Sequence, residues 1–141
     1  MTADLLHPAP AHTDGDTIVI FKAANVISTG DIVGSATYPY IDVASGGHIG
    51  GMIAAASLVI AHANAETKIV PGHGPVTDRD GVIAYRTMLQ TARDRIAKAK
   101  ASGMTEDQVA NGNLLADLDV KWKPPGNQPS RFPRQVYESV K

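Results

Sequence analysis

Residues 67–75 read Thr67-Lys68-Ile69-Val70-Pro71-Gly72-His73-Gly74-Pro75. The first four residues have the β-branched character of a short strand, and Pro71 to Pro75 form a rigid turn. An imidazole set between two glycines at the end of a strand is held in a tight backbone, because glycine tolerates conformations that aim a neighbouring side chain at one point. Histidine is also the commonest protein ligand for transition metals.

Two upstream segments follow the same grammar. His12-Thr13-Asp14-Gly15-Asp16 precedes Thr17-Ile18-Val19-Ile20-Phe21. That second run has no polar alternation after Thr17 and reads as a strand buried on both faces. Asn25 to Thr29 reads as a second strand, paired with the first as a hairpin, and Gly30-Asp31 closes it. Residues 32–47 read as a long loop ending in Ser45-Gly46-Gly47, and loops of that length often carry function.

Helices fill the remainder. Over 48–63, Ile49, Met52, Ile53, Ala56, Val59 and Ile60 recur on one face at helical spacing. Thr77-x-x-Asp80 has the form of a helix start, and the helix it opens runs to about Ser102, with Gly103 at its end. Its outer face is expected to pair Asp94 with Lys98. Thr105-x-x-Gln108 opens a further short helix. From Asp117 onward prolines and polar residues dominate, with Trp122 as an anchor and a last helical turn or two over 133–141. The order is strand, strand, helix, strand, helix, helix: an α+β chain with an α/β layered arrangement.

The bulk properties bound the function. The chain has 141 residues, the size of one domain, with 43% hydrophobic and 19% charged residues, a globular composition. Thirteen basic and 14 acidic side chains give a net charge of −1, so no broad basic field is offered to nucleic acid or to an anionic membrane. There is no cysteine, which removes disulfides and thiolate metal sites and fits a cytoplasmic protein. The N-terminus has no basic, apolar leader pattern, and the apolar stretch Ile53 to Ala63 is too short to span a bilayer.

His12, Asp31 and His73 are the candidate metal ligands. Strand ends in one sheet converge in space, and two imidazoles with one carboxylate suit zinc, iron or manganese. From spacing alone, the plainer reading stays open: three polar residues occupy turns because turns are polar. His7 lies in the irregular lead-in. His48 starts a helix beside the loop and is a candidate for substrate contact. His62 sits near a helix C-terminus, where it favours the dipole. Asp14 and Asp16 are read as turn formers with an outer-sphere role towards His12. Tyr38 and Tyr40 are read as packing residues that could line a pocket.

Taken in order, His12-Thr13-Asp14-Gly15-Asp16, then Ser28-Thr29-Gly30-Asp31, then Lys68-Ile69-Val70-Pro71-Gly72-His73-Gly74-Pro75 resemble three successive motifs of the metallo-β-lactamase superfamily. The resemblance runs from about residue 5 to 120. It implies that His12 binds a first metal, that Asp31 bridges two metals and that His73 binds the second. It further implies a metal-activated water attacking an ester, thioester, amide or phosphoester. The family's leading His-x-His-x-Asp-His motif has no counterpart here: the five histidines are His7, His12, His48, His62 and His73, with no His-x-His and no Asp-His.

By this resemblance residues 1–120 form the C-terminal half of the family's αββα sandwich, and residues 121–141 a Pro-rich tail. Half a sandwich exposes the inner face of its sheet, which should be apolar, so association is expected. The partner is either a second copy, as a homodimer or other homo-oligomer, or a separate N-terminal half-domain; Met1 fits an independent reading frame as well as a truncated piece. The function expected is a metal-dependent hydrolase acting on a small-molecule substrate with one or two zinc-type ions, needing a partner half for full activity. The alternative is a non-catalytic, self-associating module with a vestigial or single-metal site, since fold alone carries no function.

Overall fold

A computed structural model describes residues 1–124, 126 and 128–141; Pro125 and Asn127, which fall in the segment expected as a tail, lie outside the described residues. Four strands form one sheet in the order β1-β2-β3-β4: β1 (Asp4–Leu6), β2 (Ile18–Phe21), β3 (Val26–Gly34) and β4 (Lys68–His73). β1–β2 and β2–β3 pair antiparallel, and β3–β4 pair parallel. The parallel pair requires a crossover, supplied by α1 (Ile49–His62). The β2–β3 hairpin turns through a short 3₁₀ segment, Lys22–Ala24, and Asn25 in the left-handed region at φ 53°.

Both strands that carry site residues are longer than their sequence indicates. β3 continues through Asp31 to Gly34, so Asp31 lies inside a strand rather than after one. β4 likewise extends through Pro71 and Gly72 to His73. The pairing persists through these poor strand formers by slipping: Ser28 faces Val70, Gly30 faces Pro71 and Gly34 faces His73, with irregularities between. Gly30 makes the first slip at φ 53°, a conformation that costs other residues. β1 lies in the stretch expected to be irregular.

The two faces of the sheet differ. Ile20, Ile27 and Ile69 stand abreast by register and are buried, with Ile18 beside them. α1 and α2 (Arg79–Ala101) pack together over this face through Met52, Ala56, Val59, Tyr85, Leu89 and Ile96. Each buried Met, Val, Leu or Ile side chain among these contributes about 1.5–3 kcal/mol. Across the other face run Leu5, Val19, Ser28 and Val70; Leu5 is 69% exposed and Val70 37%. The Ile18–Phe21 run is therefore buried on one face and half-buried on the other, not enclosed on both.

Three short helices close the other end: α3 (Glu106–Asn111), α4 (Ala116–Trp122) and α5 (Arg131–Ser139). α3 has the expected capping box, with reciprocal hydrogen bonds between Thr105 and Gln108. α2 is capped by Asp78, which accepts from the Gly81 amide, and not by Thr77. Thr77 is already engaged in a two-hydrogen-bond bridge with Ile69. Asp94 pairs with its neighbour Arg93 rather than with Lys98. α5 is part of the same core: Phe132, Val136 and Val140 are buried in it, and Phe132 stacks on Tyr38 at 4.4 Å. No helix among the described residues is long and apolar enough to cross a membrane.

Candidate functional site

His12 sits in the β1–β2 connection, which is tied down before its side chain is considered. The Asp16 carboxylate accepts from the backbone amides of His12 (2.8 Å) and Thr13, closing the turn. The His12 carbonyl accepts from the Asp42 amide (3.0 Å), and the Ala11 carbonyl accepts from the His48 amide (2.8 Å). Gly47 and Gly51 let this segment lie against the start of α1, because a Cβ at either would run into the His12 or Pro10 carbonyl.

Asp31 and His73 come from adjacent strands. His12 Nε2 lies 3.3 Å from Asp31 Oδ2, and His73 Nε2 lies 3.2 Å from Asp31 Oδ1. One carboxylate thus spans two imidazoles, one on each oxygen. Gly72 makes room for it, since a Cβ there would strike Asp31 Oδ1 and the Gly30 backbone. The His12 side chain is 17% exposed, Asp31 40% and His73 82%, so the cluster opens outward at His73.

The tautomer of His12 follows from its second nitrogen. Nδ1 lies 2.6 Å from the Tyr40 carbonyl oxygen, which can only accept. Nδ1 therefore carries the proton and donates it, leaving Nε2 of the neutral ring unprotonated, 3.3 Å from Asp31 Oδ2. Two acceptors at 3.3 Å repel unless a cation lies between them, either a proton on Nε2 or a metal ion. Donation of the second ring N–H to a backbone carbonyl is the usual support for a metal-ligating histidine.

The other candidates do structural work. His48 caps α1, its Nδ1 accepting from the Gly50 amide, and is not in the wall of the site. His7 Nδ1 bonds the Asp16 carbonyl, and His62 ends α1. Tyr38 is buried and donates to Asp119 at 2.6 Å; burial first and that carboxylate second push its hydroxyl pKa well up. Tyr40 is exposed and forms one wall of a cavity of about 520 Å³ that contains His12, Asp31 and His73.

No family model matches the sequence, and no curated protein matches it. Among solved structures, the chain is similar to VMB-1 (21% identity, TM-score 0.55), with 64% of this chain and 42% of that chain covered. It is also similar to a metallo-β-lactamase from Pontibacter korlensis (17%, TM-score 0.54, 62% and 41% covered) and to the DIM-1 metallo-β-lactamase (19%, TM-score 0.52, 64% and 42% covered). The chain has a partial metallo-β-lactamase fold. It spans less than half the length of these metallo-β-lactamases.

A metal of the kind implied by the metallo-β-lactamase fold meets a donor set that is right in chemistry and short in number. Donors sharing an ion at about 2.0–2.2 Å each lie roughly 3–3.5 Å apart, which is the His12–Asp31 and Asp31–His73 spacing. Yet among the described residues no group of three or more His, Cys, Asp or Glu side chains is arranged to hold an ion by itself. The two imidazoles address opposite oxygens of Asp31, so each ion would find one histidine and a share of one carboxylate.

Two contributors to this site lay in the segment read as a tail. Gln135 accepts from the Ile41 amide at 3.0 Å and fixes the chain beside Tyr40, while Arg131 enters the cavity wall. The stripe Phe132, Val136, Val140 at four-residue spacing is the signal that a buried helix begins at Arg131.

Proposed function

We propose that this chain is the donor-bearing part of a metal-dependent hydrolase, in which His12, Asp31 and His73 hold one or two divalent ions of the zinc, iron or manganese type. The observation that carries the proposal is the Asp31 carboxylate lying between two imidazole Nε2 atoms inside one cavity, with the His12 tautomer set for ligation. When bound, such an ion acidifies water and polarises an ester, thioester, amide or phosphoester. His12 and Asp31 would hold one ion and Asp31 and His73 the other. The Tyr40 carbonyl orients His12, and Asp16 fixes the loop beneath it.

The remaining ligands come from the rest of the fold, as a separate half-domain or as further chain. The length of the similar structures that has no counterpart here, and the exposed apolar side chains Leu5 and Val70 on the open sheet face, support a second body lying on that face. The absence of cysteine supports the cytoplasm as its setting.

A second reading is a non-catalytic, self-associating module. It is favoured by the lack of any complete metal group among the described residues.

Metal content of untagged protein, compared between wild type and His73→Ala, separates the two readings, together with turnover of thioester, lactam and phosphoester substrates with and without the complementary half. The hydrolase reading expects metal in wild type, less in the variant, and turnover on complementation. Equal, near-zero metal in both contradicts it. Light scattering reports whether a second copy occupies the open face instead.

A further inference from the structure

We propose that the outer seam between α1 and α2 docks an acidic helix of a protein partner, with carboxylates seven residues apart. The seam is separate from the His12, Asp31 and His73 cluster, and its role stands whether or not a metal binds there. It lies on the helical side of the sheet, opposite the open face that carries Leu5 and Val70. A second body covering that face therefore leaves it free.

α2 turns Val82, Tyr85, Leu89 and Ile96 into the core. The stripe beside them, on the α1 side, reads Arg79, Ile83, Arg86, Gln90, Arg93 and Ala97 at alternating spacings of four and three. It holds three cations and no carboxylate. α1 carries no Asp, Glu, Lys or Arg along its whole length. The two helices run antiparallel: Arg79 Nε donates to the Ile60 carbonyl at 3.2 Å, and Arg86 Nη1 donates to the Ser57 hydroxyl, one turn earlier, at 3.1 Å. Both acceptors are neutral.

The charges on this row lack counter-ions. Among the described residues neither Arg79 nor Arg86 pairs with a carboxylate, whereas Arg93, Arg95 and Arg134 do. Arg86 Nε is buried without a partner. Arg93 has only Asp94 of its own helix, which is exposed. The nearby Asp78 carboxylate is taken by the Gly81 amide. A half-buried guanidinium held against neutral groups keeps an uncompensated charge, which a carboxylate from outside relieves.

The spacing selects the partner. Seven residues of helix rise about 10.5 Å. A second helix with an acid at every seventh position meets the row in step, as charged flanks do in paired helices. Phosphates of one nucleic-acid strand recur about every 3.4 Å along the axis, far closer than this row. On α1, Ala54 and Ala61 are exposed and small, so a helix backbone can come close. Leu58 and Ile83, half-buried beside them, offer it an apolar contact.

Two helical peptides of three heptads test this on the full chain. One has Glu at every seventh position with a Leu four residues on; the other has Gln for each Glu. Binding is read by fluorescence anisotropy at low salt, and the amide signals of Ala54, Ala61 and Ile83 are followed by NMR. The Glu peptide should bind and shift those signals. The Gln peptide should bind at least about ten-fold more weakly, the sum of three exposed pairs worth a few-fold each. Arg86→Gln should weaken the Glu peptide about three-fold. If that variant does not fold, the more exposed Arg93→Gln decides, with a loss of about two-fold. No binding of the Glu peptide, equal binding of the two peptides, or wild-type affinity in the variants would overturn the proposal. So would equal binding of a peptide with the same Glu residues at irregular spacing. A short oligothymidylate binding more tightly than the Glu peptide would also overturn it and assign the row to nucleic acid.

Discussion

His12 Nε2 stands 3.3 Å from Asp31 Oδ2, while the opposite nitrogen of the same ring stands 2.6 Å from the Tyr40 carbonyl. The two contacts together define the site. The backbone carbonyl fixes which nitrogen carries the proton, and the carboxylate stands beside the nitrogen left free. A turn built around Asp16 and the start of α1 holds the ring there, and the long strand β3 brings Asp31 to meet it.

The first prediction concerns that proton. In metal-free protein at a pH where His12 is neutral, side-chain ¹⁵N NMR should show its proton on Nδ1 and an unprotonated Nε2. A neutral His12 with its proton on Nε2 would show that the Tyr40 contact does not set the ring.

Gly72→Ala places a methyl group where Asp31 Oδ1 and the Gly30 backbone now lie. Overpacking of this kind costs about 1–3 kcal/mol. Denaturant melts should show that loss, and the variant should also bind metal more weakly, because Asp31 must move away from His73. Wild-type stability would mean that β3 and β4 can separate at no cost.

Gln135→Leu keeps the size of a buried side chain and leaves the Ile41 amide without its acceptor. An orphaned buried donor costs about 1–3 kcal/mol. The expected result is a lower denaturation midpoint with unchanged slope. No change would mean that α5 is not needed to hold the loop that carries Tyr40.

Asp117 accepts two hydrogen bonds from Arg95, and that contact, more than any other, lowers its pKa from 3.8 to about 2. A depressed carboxyl pKa stabilises the fold above the unfolded value of 3.8 and loses that contribution as pH falls through about 2. Both groups are exposed, so salt screens the pair and the effect is small. Asp117→Asn should melt slightly below wild type at neutral pH in low salt, and the gap should close below about pH 2. A gap that persists in acid would assign the stabilisation to something other than the ion pair.

Much of this was legible in the sequence, for identifiable reasons. α1 and α2 announce themselves by apolar spacing, and α3 by its Thr105/Gln108 capping box. The strand ends were harder to read. Gly30, Pro71 and Gly72 are poor strand residues, and only pairing between β3 and β4 carries the ladder across them. β1 was hidden because Asp4-Leu5-Leu6 has no β-branched residue and exists by pairing with β2. The cap of α2 moved from Thr77 to Asp78 because the Ile69 bridge claims Thr77, a contact between distant parts of the chain. His12, Asp31 and His73 stood out by their glycine-flanked turns. Arg131 and Gln135 did not, because proline and polar residues around them read as a tail.

The most direct test of the account is a Zn²⁺ titration of wild type and Asp31→Ala, followed through the histidine side-chain ¹⁵N signals. The account predicts that the Nε2 signals of His12 and His73 shift in wild type while those of His7 and His62 stay put, and that losing the carboxylate weakens both shifts together. Shifts at neither ring, or shifts unchanged in Asp31→Ala, would contradict it.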